Sequence, residues 1–405
     1  MNRIAVIAEY NPFHNGHHYM LRTLRSRFGS SAPIVVVMSG SFVQRGEPAL
    51  FDKWTRASWA LDGGADCVVE LPALYALSSA EGFAAGAVRL AARLGCTHLS
   101  CGVEDGTADD FHRLAQASLA VLDDFRPGQT GLTYGQYVSQ ATASQTTPET
   151  AALLGEPNAL LALEYVKAIH RYAPSFEFVP ILRQGKHDGA DLTGPFASAS
   201  AIRRELQAGR LEDAAPYLPA KELADIGRLL SQGQYADYSR YGDCILYRSR
   251  LLSPQELLAL PAFSEGLENR WQRCLLQSTS WPEALDALKT KRYAYSRLRR
   301  MGAYTALAVS RADMEKAYLE GPQYGRVLAL SPLGASVLKE AKKEIPIITR
   351  LRTGLNRLSP FGQRMIQYDM RSTDIQSLCF RSPSGRGGLK DYYASPSMKK
   401  SIFRQ

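Results

Sequence analysis

The chain has 405 residues, 45% hydrophobic and 21% charged, so it is long enough for two or three globular domains and too apolar for general disorder. Forty-eight Lys and Arg against 39 Asp and Glu give a net charge of +9, a modest excess that suits a polyanionic partner. No apolar run approaches the roughly 18 residues of a membrane span, and Asn11 and Pro12 come too early for a secretory signal. We therefore expect a cytoplasmic protein with no membrane partner.

Apolar strands and amphipathic helices alternate over residues 1–209, which is typical of an α/β domain whose parallel sheet has helices on both faces. In chain order, the predicted strands are 4–10, 34–38, 67–71, 97–102 and 176–182, and the predicted helices are 17–28, 52–61, 80–94, 109–124, 157–172 and 200–207. Ligands of such sheets bind at the carboxyl ends of the strands. The loops that follow these strands should therefore converge on one crevice.

Helical runs dominate after residue 210, which predicts a second, mainly α-helical domain over residues 210–405. Short strands at 327–330 and 345–348 are compatible with this pattern. The Gly- and Ser-rich sequence from Ser382 predicts a mobile tail. The six cysteines form no Cys-x-x-Cys pair, so we expect reduced thiols and no structural zinc site.

The turn after the first predicted strand has the composition of a phosphate site. His14 and His17 flank Gly16, whose missing Cβ lets the backbone approach a ligand closely. The helix predicted to begin near His17 directs its free N–H groups and partial positive charge at this turn, which favours an anion. Two histidines can also be ordinary turn residues, but their place between the first strand and the first helix favours the binding interpretation.

The loop after the second predicted strand is polar and contains two glycines that permit tight turns, Gly40 and Gly46. Its side chains Gln44, Arg45 and Glu47 are candidates for contact with a substrate, because polar loops at this edge of a sheet are often functional. The alternative is a plain surface loop.

Two helix starts supply further candidates. Lys53 and Arg56 lie in the first turn of a predicted helix, where a cation opposes the helix dipole unless an anion is bound nearby. Lys53 is therefore predicted to face a phosphate, although a solvent-facing side chain would also fit. Ser198 and Ser200 occupy capping positions of the last helix of the domain, and Arg203 follows them. These three could clamp a phosphate, or they could be a helix cap and a surface arginine.

The densest positive run covers residues 289–300, with six basic residues in twelve and no acid. If this run is helical, Arg292, Ser296, Arg299 and Arg300 lie along one face. Lys and Arg supply most non-specific RNA affinity through phosphates, and tyrosines can stack on splayed bases, so the run predicts RNA binding rather than only a solvated face. The candidates are Lys291, Arg292, Tyr293, Arg297, Arg299 and Arg300.

These pieces resemble a known family. Residues 14–17 match the HxGH motif of the nucleotidyltransferase branch of the Rossmann-like HUP superfamily, and residues 198–203 resemble the serine-rich helix start of that branch. Longer strings resemble the bacterial tRNA(Met) cytidine acetate ligase family along nearly the whole chain. These strings are 9–16, 39–48, 51–56, 157–158 and 291–293.

The resemblance implies an enzyme that uses ATP, with Mg²⁺, to activate acetate as acetyl-adenylate. It then acetylates the wobble cytidine of elongator tRNA(Met) to N4-acetylcytidine, releasing AMP and pyrophosphate. His14, His17, Lys53 and Arg203 would be catalytic. The ATP-binding residues that the resemblance implies are Ile7, Ala8, Glu9, Tyr10, Asn11, Pro12, Phe13, His14, Asn15, Gly16, His17, His18, Tyr19, Met20, Gly102, Asn158 and Arg183. Ser198 and Ser200 join them as predicted ATP-binding residues from their capping positions.

Two other functions remain compatible with the residues. An adenylyltransferase that joins ATP to a small phosphorylated acceptor would explain both motifs, but not a basic helical domain of nearly 200 residues. An RNA-binding protein with a degenerate nucleotide pocket is disfavoured by the intact motifs. A GxxxxGK[ST] loop is absent, which excludes a P-loop enzyme. The sequence leaves acyl-group selectivity and oligomeric state open.

Overall fold

A computed structural model of the chain describes residues 2–122, 140–183, 192 and 196–399. Within this part, eight strands form one sheet in the order β5-β4-β1-β2-β3-β6-β7, with β8 beside β6. The strands are β1 (Ile4–Ala8), β2 (Ile34–Ser39), β3 (Cys67–Leu71), β4 (His98–Val103), β5 (Glu177–Leu182), β6 (Gly325–Leu330), β7 (Ile347–Ile348) and β8 (Ser397–Met398).

Helices cover both faces of this sheet and make up most of the chain after residue 210. The helices with described ends are α1 (Asn15–Phe28), α2 (Lys53–Asp62), α3 (Ala73–Ala76), α4 (Ala80–Arg93), α5 (Ala108–Leu122), α6 (Pro148–Ala152), α7 (Pro157–Tyr172), α8 (Ala199–Gln207), α9 (Leu211–Ala214), α10 (Ala220–Ser231), α11 (Tyr238–Leu251), α12 (Pro254–Leu258), α13 (Leu267–Gln277), α14 (Trp281–Leu288), α15 (Tyr295–Leu307), α16 (Arg311–Glu320), α17 (Pro332–Ala341), α18 (Leu351–Gly354), α19 (Pro360–Leu378) and α20 (Lys390–Tyr393). No described helix combines the length and the apolar character needed to cross a membrane.

The central strands confirm the predicted α/β class. β1 pairs in parallel with β2 and β4, β2 with β3, and β4 with β5, which gives the Rossmann order 3-2-1-4-5. β2 reads as an unbroken apolar run because both its faces are covered. Val35 and Val37 enter the core on the α4 side, whereas Val36 and Met38 enter the core beneath α1 and α2. Each predicted strand and helix of this region matches an observed one to within one or two residues at its described ends.

The part of the chain after residue 210 adds strands to the same sheet. β6 pairs antiparallel with β3, and β7 and β8 lie beside β6. The two short strands that the sequence allowed therefore exist, and they extend the parallel sheet rather than forming one of their own. The division of the chain into domains at residues 209 and 210 stays a prediction.

Lys53 does not face a phosphate, which corrects its predicted catalytic role. Its side chain is fully buried, and its Nζ lies 2.7 Å from Glu70 Oε1 and 2.8 Å from Asp391 Oδ1. Arg326 completes the cluster by pairing with both carboxylates. Burial, followed by the charge of Arg326, lowers the pKa of Lys53 to about 8. The unfavourable helix-start position of this cation is therefore offset by two buried carboxylates and not by a ligand.

The expected mobile tail also needs correction as far as Lys399. The Ser382 N–H donates to the Gly233 carbonyl at 2.8 Å, and the Lys399 N–H donates to the Leu330 carbonyl at 3.0 Å. Between them, Asp391 is 1% exposed and bound to Lys53. Small and polar composition predicted mobility, but the ion pairs of buried Asp391 with Lys53 and Arg326, together with the strand pairing of β8, hold this segment on the sheet. The six cysteines are free thiols, as expected.

We predict that Asp391→Ala destabilises the protein by about 3–5 kcal/mol, because it leaves Lys53 and Arg326 buried with one carboxylate between them. Urea unfolding followed by circular dichroism measures this change. The matched control is Asp213→Ala, which removes an exposed carboxylate paired with Arg210 and should cost about 0–1 kcal/mol. Equal stability of the two variants would contradict the prediction.

Candidate active site

A cleft of about 450 Å³ opens at the carboxyl ends of β1, β4 and β5, at the point where the strand order reverses. The loop after β2 forms one wall, and α4 and α7 form another. Loops after three of the five predicted strands, β1, β2 and β5, therefore converge as expected. β4 contributes the last residues of the strand itself, and the loop after β3 contributes no described lining residue. The predicted site residues that line the cleft are Ile7, Ala8, Glu9, Tyr10, Asn11, His14, Gly16, His17, Tyr19, Met20, Gln44, Arg45, Glu47, Gly102, Asn158, Arg183, Ser198, Ser200 and Arg203.

Four residues of the predicted nucleotide segment lie away from this cleft. Phe13 is fully buried in the core beneath α1 and α2, and Pro12 is also absent from the lining. Asn15 and His18 project to the outer side of α1, where the Asn15 side chain donates to the Pro216 carbonyl at 3.0 Å. Contiguity in the sequence cannot separate these residues from their cleft-lining neighbours, because a turn followed by a helix points side chains in several directions.

The two histidines of the HxGH turn hold each other in place. His14 is the N-cap of α1, so the helix begins at Asn15, two residues before the predicted start. The Gly16 N–H donates to His14 Nδ1 at 3.1 Å, and the His14 N–H donates to His17 Nδ1 at 3.3 Å. The rings stack with centroids 3.7 Å apart. Because each Nδ1 accepts a hydrogen bond, the proton of each neutral imidazole lies on Nε2.

His17 is held in its neutral form. Burial lowers its pKa well below the ordinary value, and the neighbouring His14 and Arg183 lower it further. The two groups that lower this pKa besides burial, His14 and the Arg183 guanidinium, would both stabilise an anion bound beside His17. The turn is therefore suited to bind negative charge, which agrees with the position of the α1 N-terminus.

Gly16 is required by the histidine stack itself. A Cβ at this position would lie 2.9 Å from His14 Cε1 and 3.1 Å from His14 Nδ1. Any side chain would push the His14 ring out of its capping position. The sequence suggests that Gly16 lets a ligand approach the backbone, and the contact with the His14 ring is a second reason for glycine at this position.

The late serine-rich motif meets the first turn across the cleft. Ser198 caps α8 by accepting a hydrogen bond from the Ala201 N–H at 3.1 Å. Arg203, one turn into the helix, donates to the Asn11 carbonyl at 2.6 Å and to Ser200 Oγ at 3.2 Å. Although 192 residues separate Arg203 from Asn11, this contact fixes the guanidinium beside the histidine turn.

A third group comes from β4, β5 and the start of α7. The Asn158 N–H and side chain both donate to Glu104 Oε1, which fixes the amide at the cleft. The Arg183 N–H donates to the Val103 carbonyl at 2.9 Å, and burial lowers the pKa of its guanidinium. A Cβ on Gly102 would lie in van der Waals contact with Arg183 Cγ, at 3.4 Å. Residues 184–191, which follow Arg183, lie outside the described part.

Arg56 holds the loops that form the cleft and does not itself line it. It is fully buried and donates to the carbonyls of Glu9, Ser39 and Gly40, which belong to the ends of β1 and β2. A guanidinium has five N–H donors in a fixed fork, so one side chain can hold both loops. The sequence left open whether Arg56 faces a phosphate or solvent, and the buried side chain does neither.

The predicted substrate loop is a tight structure that contacts the basic run. Gly46 has φ +79° and donates to the Val43 carbonyl at 2.9 Å. A Cβ on Gly46 would lie 2.6 Å from the Arg299 carbonyl oxygen, and Glu47 pairs with the Arg299 guanidinium at 3.5 Å. The start of α15 therefore packs directly on the rim of the cleft.

The basic run is not one helical face, which corrects that expectation. α15 begins at Tyr295, so Lys291 and Arg292 precede the helix, although both are exposed. Tyr293 is only 7% exposed, and the guanidinium groups of Arg292 and Arg297 lie 5.9 Å and 5.3 Å from its ring centroid. This ring is therefore occupied within the protein and is not presented for stacking on a base.

Sequence reasoning missed the apolar wall of the cleft. Phe83 of α4 and Leu161 and Tyr165 of α7 line it. Their helical spacing is the same as that of core residues, so no signal in the sequence separates the two roles. The described residues contain no group of three or more His, Cys, Asp or Glu that could hold a metal ion.

The whole chain is similar to proteins of known identity. The family model described as HIGH Nucleotidyl Transferase matches residues 1–391. A tRNA(Met) cytidine acetate ligase of Caldanaerobacter subterraneus subsp. tengcongensis is 33% identical over 393 residues, covering 94% of this chain and 96% of the relative. The enzyme of the same name from Latilactobacillus sakei subsp. sakei is 37% identical over 359 residues, covering 87% and 88%.

Solved structures agree with this similarity. The apo crystal structure of Thermotoga maritima TmcAL aligns with a TM-score of 0.91 at 30% identity, covering 98% of this chain and 99% of that one. The structure of the same protein bound with alpha-thio ATP aligns with a TM-score of 0.89 at equal identity and coverage. The chain therefore belongs to the HIGH nucleotidyl transferase family and, within it, to the tRNA(Met) cytidine acetate ligase family.

Proposed function

We propose that this protein is an ATP-dependent ligase that acetylates the wobble cytidine of elongator tRNA(Met) in two steps, through an acetyl-adenylate. One observation carries the proposal. The HxGH turn and the Ser198–Arg203 helix start meet in one cleft, and the rim of that cleft contacts the basic run through Glu47 and Arg299. The nucleotide site and the RNA-binding surface would then lie side by side, as the transfer of an acetyl group from acetyl-adenylate to tRNA requires.

The nucleotide would bind with its phosphates against the donors that converge on the HxGH turn. His14 and His17, the start of α1, Arg183 and Arg203 present N–H groups or positive charge to the same volume. The solved relative bound with alpha-thio ATP supports ATP as the nucleotide. Donors fixed before the substrate arrives stabilise developing negative charge without a reorganisation cost.

In the first step, an acetate oxygen attacks the α-phosphorus of ATP. An oxygen–phosphorus bond forms, the bond to the β-phosphate bridge breaks, and pyrophosphate leaves with the electron pair. The cations in the cleft offset the repulsion between the acetate and the triphosphate. Mg²⁺ enters this proposal as an ion carried by the ATP phosphates, since the described residues offer no dedicated cluster for it.

In the second step, the exocyclic N4 of cytidine attacks the acetyl carbonyl carbon. A carbon–nitrogen bond forms, the bond from that carbon to the phosphate oxygen breaks, and AMP leaves. The tRNA would reach the cleft along the start of α15, where Lys291 and Arg292 are exposed and Arg299 lies at the rim. Because Tyr293 is packed within the protein, phosphate contact is the mode of binding that these residues favour.

The experiment that tests the proposal measures AMP and pyrophosphate release from ATP by the purified protein, with acetate and tRNA added separately and together. We expect pyrophosphate release to depend on acetate, and acetylated RNA to form only when both are present. If pyrophosphate release does not depend on acetate or tRNA but requires a small phosphorylated acceptor, the protein is instead an adenylyltransferase.

His17→Ala is predicted to lower acetate-dependent AMP formation by about 10²–10³, the usual loss for one fixed donor. The fold should persist, because the hydrogen bond that His17 Nδ1 accepts from the His14 N–H contributes only about 0.5–1.5 kcal/mol. Steady-state kinetics and circular dichroism measure the two effects. His112→Ala, which removes a partly exposed histidine of α5 paired with His170, is the matched control and should keep full activity.

Replacing Lys291, Arg292 and Arg299 together with Ala is predicted to weaken tRNA binding and to flatten its salt dependence, by about one unit of slope for each RNA phosphate that is no longer neutralised. Filter binding at several salt concentrations measures both quantities. The control triple variant removes the same charge from exposed positions elsewhere, at Arg113, Lys221 and Lys339. If both triple variants bind tRNA equally, general positive charge rather than this run attracts the RNA.

A further inference from the structure

Glu9 is an acidic group in a cleft whose other charged groups are mostly cationic. It follows directly after β1, lines the cleft, and its Oε1 accepts a hydrogen bond from the Gln44 N–H at 2.8 Å. This bond fixes the carboxyl beneath the substrate loop. A carboxylate repels phosphate, so contact with the triphosphate does not explain why an acid lies here.

The surroundings of Glu9 suit a group that exchanges a proton. Burial raises the pKa of its carboxyl above the ordinary value, while the Gln44 N–H and the charges of Arg203, Arg45 and Arg56 act in the opposite direction. Tyr165 of α7 lines the same cleft. A carboxylate that is partly desolvated, yet anchored, is a stronger base than one in water.

The position of Glu9 also matches the side from which RNA would approach. The substrate loop bonds to Glu9 at Gln44, and at Glu47 the same loop pairs with Arg299 at the start of α15. Glu9 is therefore connected by this loop to the part of the rim that touches the basic run, and by the chain itself to the histidine turn that follows it. The exocyclic amine of a bound cytidine would enter the cleft at this side.

We propose that Glu9 is the general base of acetyl transfer, a role that rests on the proposed function. As N4 attacks the carbonyl carbon of acetyl-adenylate, the new carbon–nitrogen bond leaves the nitrogen with a surplus proton. The Glu9 carboxylate accepts that proton, and the electron pair of the breaking carbon–oxygen bond leaves with AMP. The adenylation of acetate involves no proton transfer, so Glu9 does not act as a base in the first step.

The role of Glu9 as a base in the second step alone is tested with Glu9→Gln, whose amide oxygen can still accept a hydrogen bond from the Gln44 N–H. Acetate-dependent exchange of labelled pyrophosphate into ATP reports the first step, and single-turnover acetyl transfer at saturating tRNA reports the second. We expect transfer to be slowed by about 10²–10⁴, the usual contribution of a general base, and exchange at saturating ATP to lose far less, because adenylation involves no proton transfer.

The pH dependence separates a base from a structural residue. Transfer by the wild type should rise with pH through the pKa of Glu9, because only the ionised carboxylate accepts a proton, and this rise should be missing in Glu9→Gln. Glu177→Gln, which changes an exposed carboxyl at the amino end of β5, the end of that strand away from the cleft, should behave as wild type in both steps.

Three outcomes would overturn the inference. Transfer by Glu9→Gln within a few-fold of wild type, with the same pH profile, would leave Glu9 only as an anchor of the loop. Equal losses in exchange and transfer would assign Glu9 to adenylation. A wild-type enzyme without acetate-dependent exchange would overturn the proposed function and this inference together, which distinguishes that failure from the first two.

Discussion

A buried cluster of two cations and two carboxylates is the constraint on which the active edge of the sheet depends. Lys53, Glu70, Arg326 and Asp391 come from α2, β3, β6 and α20, and each is at most 3% exposed. Burying a charge is tolerated only when it is paired, so these four elements must assemble together. Gly40 lies against Glu70 so closely that a Cβ there would overlap the carboxylate. The loop that forms one wall of the cleft therefore lies directly on the cluster.

The same loop is held from the other side by the chain after residue 210. Tyr241 donates to the Gly46 carbonyl at 2.8 Å, and Gln376 donates to the carbonyls of Ala49 and Phe51. Together with the contact between Gly46 and Arg299, these bonds make the loop a shared element. A substrate bound along α15 would consequently be placed at a defined distance from the nucleotide turn, which is the geometry that the proposed two-step reaction needs.

Burial separates four cations near the cleft into two groups with different roles. Lys53 and Arg56 are fully buried and hold carboxylates and loop carbonyls, whereas Arg183 and Arg203 line the cleft. Glu9 is connected to both groups: its backbone carbonyl accepts a hydrogen bond from Arg56, and the residue lines the same cleft as Arg183 and Arg203. Cations that stabilise the loops are thus kept away from the volume where a phosphate would bind.

The sequence by itself determined the elements and the two motifs. Period and composition are local properties, so β2 is recognisable as a strand buried on both faces, and Gly16 between two histidines is recognisable as a turn at a helix start. Only the tertiary structure decided which side of a loop each cation occupies, that β6 joins β3, and that Asp391 reaches Lys53. The last two contacts join residues that are far apart in the sequence. The partner of a buried charge depends on which elements the fold places beside it, and no local pattern of residues encodes that.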